Sequence, residues 1–313
     1  MLSIESTKGA DLDAYLGQFA GVLTAFCWSF SSIFFTMSGR LVGSPTVNRT
    51  RLVFALVMIG AVHWITQGEL LPIDAGLSHW GWMGLSGIIG FVLGDASLFQ
   101  AFVMIGPRLS MLIMALNPVM GAVMAWILLG ERLAAIEIFG IMLAISGVVW
   151  VVADRTNGKT LPDAAPRTYV IGVLFALGGA LGQAAGFIAS KEGLQGDFSA
   201  LSGNLMRLLV STLVIWAWTA LRGEARLGAE RLRAQPRALR FIFGGALAGP
   251  FIGVWFSLIA VQHAPVGIAS TLTSLTPIML IPLSRIVFKE AITWRAVGGT
   301  LLAITGTAIL FLA

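Results

Sequence analysis

The chain has a single cysteine, Cys27, and it lies inside an apolar run, so neither a disulfide framework nor a cysteine zinc site can be built. Charge is scarce as well: 11% of residues are Asp, Glu, Lys or Arg, against about 25% in an ordinary soluble domain. A water-facing surface cannot be made from so few, and a mean hydropathy of +0.88 points the same way. Also missing are a P-loop, a nucleophile elbow and any His/Cys/Asp cluster, and His63 and His263 lie near helix ends without neighbouring ligands. No metal, cofactor or ATP chemistry is expected. The net charge of +5 would suggest nucleic acid in a soluble protein, but no basic stripe interleaved with aromatics occurs. The basic residues sit between apolar runs and read as topology signals, so no nucleic-acid partner is expected.

What is present is a series of apolar runs, near 14–36, 46–66, 79–104, 108–129, 134–153, 168–190, 199–221, 239–262, 267–288 and 292–312. Each is long enough to cross hydrocarbon as a helix, and none shows the alternation of lipid-facing strands. The fold class is therefore an all-α membrane protein of about ten transmembrane helices. Ten spans of about 21 residues leave only short loops in a chain of 313 residues, so no soluble domain fits. Glu5, Asp11 and Asp13 against Lys8 do not resemble the basic start of a secretory signal, and the first helix is expected to be retained. Two polar stretches stand out. Asp154 to Arg167 reads as the boundary between two halves, residues 1–155 and 156–313, and the Arg-rich Arg222 to Arg240 reads as a loop.

The halves repeat one another. Leu116-Asn117-Pro118-Val119-Met120 recurs as Leu275-Thr276-Pro277-Ile278-Met279, and the match runs on through Glu131 and Glu290, Gly140 and Gly299, and Gly147 and Gly306, always 159 positions apart. Gly21-Val22-Leu23-Thr24-Ala25 matches Gly172-Val173-Leu174-Phe175-Ala176, and Asn48-x-x-Arg51 matches Asn204-x-x-Arg207. Matches kept in order along both halves imply duplication. With five spans in each half, the second copy enters the membrane from the opposite side, giving two inverted five-helix repeats. Lys8, Arg132 and Lys191 fall on the side of the N-terminus and fifteen other Lys and Arg residues on the opposite side, with Arg207 departing from the rule by starting from the outer side, so the charge count places both termini outside.

Inverted-repeat folds hold their ligand near the midplane where the repeats meet, beside broken helices. Pro118 and Pro277 mark candidate breaks or hinges: lacking N–H groups, they free the carbonyls of Met114 and Thr273, or they simply kink their helices for packing. Asp95 is the one acid placed deep in a span, where it could carry a proton, balance a cationic solute or form half of a structural pair with an arginine. Arg51 and Arg207 occupy matched positions from opposite faces and read either as snorkelling cations or as gate contacts and anion ligands. Glu131 and Glu290 fall just before the fifth and tenth helices and are expected to cap them. Trp28, Ser32, Gln183, Trp255 and Ser274 could line a cavity or serve interhelical packing, while Trp64, Trp80 and Trp82 suit an interfacial belt in contact with lipid. Gly140, Ala144 and Gly147, like Gly299, Ala303 and Gly306, keep one helix side narrow for close packing or a homodimer contact.

The proline-to-glutamate unit that ends in Gly130-Glu131-Arg132-Leu133, repeated as Lys289-Glu290-Ala291 before a glycine-rich helix, resembles the ten-helix EamA-like members of the drug/metabolite transporter superfamily. The resemblance covers essentially the whole chain. It implies a secondary transporter in the cell (inner) membrane, with a small-molecule solute as its partner. Alternating access, often for export of amino acids or other metabolites, would run through a central cavity. Carried over by position, it points to Trp28, Asp95, Asn117, Gln183, Trp255 and Ser274. The sequence departs from it at Lys289, where the first repeat has glycine. Many members have cytoplasmic termini, against the charge count. A flippase, or an intramembrane enzyme acting on a lipid-linked substrate, is the alternative, although Asp95 has no second carboxylate beside it.

Overall fold

A computed structural model describes residues 2–130, 132–154, 166–196, 198–263 and 266–312. Ten helices among them are long and apolar enough to cross a membrane: α1 (Tyr15–Val42), α2 (Ser44–Gln67), α3 (Leu77–Ile105), α4 (Pro107–Ile127), α5 (Ala135–Ala153), α6 (Pro166–Gly193), α7 (Ala200–Leu221), α8 (Pro236–Ser257), α9 (Thr271–Phe288) and α10 (Trp294–Leu312). No strand occurs among the described residues. Proline opens several of these helices, at Pro107 and Pro236 for instance, where its missing N–H is one the first turn could not have paired anyway.

Two readings need correction. The first helix runs on to Val42, six residues past the apolar run, and ends where Gly43 takes φ 85°, a backbone angle that suits glycine. The Arg-rich stretch is not a loop. Ala225–Ala234 forms a short amphipathic helix, and Pro236 then starts α8. Ala, Leu, Glu and Arg are strong helix formers, and the polar face they present suits the membrane surface. The linker Asp154 to Arg167 lies largely outside the described residues.

The repeat is visible in the contacts. In the first half α3 packs along α6 and α2 touches α8; in the second, α8 packs along α1 and α7 touches α3. Helices α3 and α8 each widen into seven residues of π-helix, Ile88–Gly94 and Leu247–Gly253, again 159 positions apart. Helices α4 and α9 each break two residues before the proline, between Met114 and Asn117 and between Thr273 and Thr276. The narrow faces of α5 and α10 meet each other: a Cβ on Gly140 would lie 2.8 Å from the carbonyl of Gly306, and one on Gly299 would lie 2.8 Å from the carbonyl of Gly147. The small residues are thus used within the chain and do not present a free dimer face.

Gly130 and Lys289 end α4 and α9 in the same left-handed conformation, with φ 68° and 56°. Each donates its N–H to a carbonyl five residues back, Ala125 and Ser284. Lys289 keeps the backbone shape of the glycine it replaces, at the steric cost of a Cβ beside its carbonyl. Lys289→Gly is expected to stabilise the protein by about 1 kcal/mol, seen as a higher midpoint of thermal unfolding in detergent; a lower midpoint would mean the lysine side chain carries a contact of its own.

Candidate functional site

The π-helical stretch of α3 sets the site. A wide turn leaves backbone carbonyls without their usual partners and rotates the helix beyond it, and such turns recur at functional positions. Side chains from neighbouring helices bond to carbonyls of this turn: Asn48 Nδ2 donates to that of Phe91 at 3.1 Å, and Gln183 Nε2 at 3.5 Å to that of Gly90, which also accepts the Asp95 backbone N–H. Asn48 and Gln183 come from α2 and α6, so three helices are tied together at one level.

Asp95 is the first residue after the wide turn and is buried in the bundle. Its Oδ2 pairs with Arg51 Nη2, and its Oδ1 accepts from Gln183 Nε2 at 2.6 Å. Arg51 Nε donates to Asn48 Oδ1 at 3.1 Å, so the matched motif Asn48-x-x-Arg51 closes a hydrogen-bonded circuit: Phe91 carbonyl, Asn48, Arg51, Asp95, Gln183, Gly90 carbonyl. Of the three roles open to Asp95, the structure shows the pair with an arginine. Arg51 is 3% exposed and Arg207 9%, which corrects the snorkelling reading. Each enters seven residues, or about 10 Å, past the start of its helix, and helix packing turns both inward instead of out to the interface.

Arg207 differs from its counterpart. Its guanidinium lies 4.5 Å from the centroid of the Phe91 ring and 5.9 Å from that of Phe187, and its Nε is buried with no hydrogen-bond partner. Arg51 reaches the same Phe91 ring at 5.7 Å. Position 254, 159 residues on from Asp95, is Val254, so the second repeat supplies no acid at the corresponding place.

The other sequence candidates are more scattered. Trp28 lies against the glycine face of the α8 wide turn, 3.2 Å from where a Cβ on Gly249 would stand. Ser32 is buried and donates within its own helix to the Ser29 carbonyl at 2.8 Å. Trp255 is 49% exposed, edge-on to Phe251 at 6.2 Å. Asn117 and Ser274 sit half-buried at the two helix breaks. The carbonyl of Thr273, expected to be freed by Pro277, instead accepts from the Thr276 hydroxyl at 2.9 Å. Asp95, Gln183, Arg51 and Arg207 thus gather at one place; Trp28, Ser32, Asn117, Trp255 and Ser274 lie outside that hydrogen-bonded group.

One charged pair escapes sequence reasoning. Glu290 does not cap α10; it is buried and bonded to Arg108 Nε at 2.9 Å, fastening the end of α9 to the start of α4. Beside it the Arg40 guanidinium stacks 4.6 Å over the Phe288 ring. Nothing local in the sequence links partners 182 positions apart, although Arg108 directly after a helix-opening proline, opposite a repeated glutamate, was the available signal. Glu131 lies outside the described residues. Among the described residues the reciprocal pair, the end of α4 and the start of α9, shows no comparable packing.

Among the described residues, ten helices long and apolar enough to cross a membrane, arranged as two inverted halves that break and widen at matched places around a buried charged group, define a polytopic membrane protein. The EamA-like transporter family matches residues 15–153 and again residues 170–312, and the chain belongs to it. Membership makes it a multi-pass membrane transporter of small solutes. A search of curated proteins finds no match. A solved structure described as "Crystal structure of protein" is similar in fold, with a TM-score of 0.57 over 96% of this chain and 97% of that one, at 16% identity.

Proposed function

We propose that the protein is a secondary transporter that moves a small amphipathic metabolite outward by alternating access, with the solute held beside the wide turn of α3. The observation that carries this reading is the buried group of Asp95, Arg51, Gln183 and Arg207 at mid-span, where helices of both repeats meet. Polar groups are held at such depth in a bundle when they pair with one another or serve a solute path. Closure of one face supports the alternating part: the buried bond of Arg108 to Glu290 fastens the end of α9 to the start of α4, as expected of one end state of a two-state carrier. In this reading Pro118 and Pro277 are the hinges, Trp28, Trp255, Asn117 and Ser274 border the solute path, and Asp95 anchors the site through Arg51. The distribution of Lys and Arg supports termini outside the cell.

The test is flux into proteoliposomes of a panel of labelled amino acids, organic acids and amines. A carrier gives saturable uptake that is accelerated when the same unlabelled solute is loaded inside. Uptake that never saturates would identify a channel. A solute recovered in chemically altered form would identify an enzyme.

A further inference from the structure

The charges around the wide turn do not cancel. Arg51 pairs directly with Asp95; Arg207, 9% exposed, shares the attraction of that carboxylate from beyond hydrogen-bond distance, and its Nε is sealed with no hydrogen-bond partner, so the three groups together keep one positive charge. A buried cation whose N–H groups are not bonded, and whose charge is only shared with a carboxylate already paired, is costly. The repeat explains how it arises: where the first half has Asp95 for Arg51, the second has Val254 at the matched position for Arg207. The first repeat carries its own anion; the second lacks one.

From this imbalance we infer that Arg207 binds the carboxylate of the transported solute, and that the solute is a monoanionic organic acid with an apolar, preferably aromatic, body. The inference rests on the carrier reading above and names its substrate class. A planar guanidinium matches a carboxylate through two parallel hydrogen bonds. One net negative charge brings the group of Arg51, Asp95 and Arg207 to zero. A zwitterion would leave it positive, and its ammonium finds Asp95 already engaged by Arg51 and Gln183. A doubly charged phosphate ester would overshoot. The surroundings agree with an apolar body: Phe91 lies 4.5 Å and the exposed Phe187 5.9 Å from the guanidinium. Arg207 enters from the face opposite the Arg108–Glu290 fastening, the side from which the group would be reached.

The experiment is equilibrium binding to the purified protein in detergent, using radiolabelled phenylacetate and indole-3-acetate, with phenylalanine and phenylethylamine as zwitterionic and cationic counterparts. Wild type is expected to bind at least one of the two acids, and at least about tenfold more tightly than either counterpart. Arg207→Gln should bind that acid at least about 30-fold more weakly, with Arg207→Lys between the two. If Arg207→Gln fails to fold, the charge series on wild type and the Arg207→Lys value decide. Failure of both acids to bind, an amine that binds as tightly as the acids, or an Arg207→Gln protein that binds like wild type would each overturn the inference. Binding needs no flux, so the two readings fail separately: acid binding without saturable flux keeps the anion site and removes the carrier, and saturable flux indifferent to Arg207 does the reverse.

Discussion

Asp95→Ala should destabilise the protein by about 3–5 kcal/mol, because it leaves the Arg51 guanidinium buried without its counter-ion. The loss is larger than that of a neutral hydrogen bond, since Gln183 also loses its 2.6 Å acceptor. The double variant Asp95→Ala, Arg51→Met should recover most of the loss, because removing both charges removes the burial penalty with the attraction. The check is chemical unfolding of the detergent-solubilised variants. If Asp95→Ala unfolds within about 1 kcal/mol of wild type, the pair does not hold α2 to α3, and Asp95 returns to the roles of proton carrier or counter-ion.

Gly147→Ala is the second substitution with a large expected effect. A single methyl there would lie 2.6 Å from the carbonyl of Gly299 and against the backbone of Ala303, atoms that cannot yield without parting α5 from α10. Overpacking of this kind costs about 1–3 kcal/mol, and the upper end is expected where backbone meets backbone. Gly121→Ala is the control. It is also helical but has open space around the added methyl, so it should be neutral or stabilise by up to about 1 kcal/mol. Thermal unfolding in detergent separates the two. Equal midpoints would show that the α5–α10 seam is looser than its geometry implies.

Much of this architecture was legible in the sequence, because hydropathy and an internal repeat are linear signals. The spans, their inversion and the narrow faces of α5 and α10 come from runs and spacings alone. The site was only half legible. Asp95 stood out as an acid in hydrocarbon, and a pair with an arginine was one of its readings, yet Arg51 and Arg207 are matched residues and the sequence could not say which would reach it. That choice depends on α3 packing against both α2 and α7, a tertiary fact. Asn48 was legible only as half of a repeated motif, because its partners are backbone carbonyls in a π-helical turn that apolar periodicity does not reveal. Glycines spaced at 90 and 94, and again at 249 and 253, were the trace it left. The Arg108–Glu290 bond was invisible for a different reason: its partners are surface-like residues at helix ends, and only the folding back of α9 onto α4 buries them.

The two seven-residue wide turns also say something about ancestry. They occupy the same register in both halves, so the bend belonged to the single five-helix unit before that unit was copied. Asp95 stands beside one of them and Val254 beside the other, so the acid distinguishes siblings that share a skeleton. The bend is common inheritance, and the difference in charge arose as the two copies diverged.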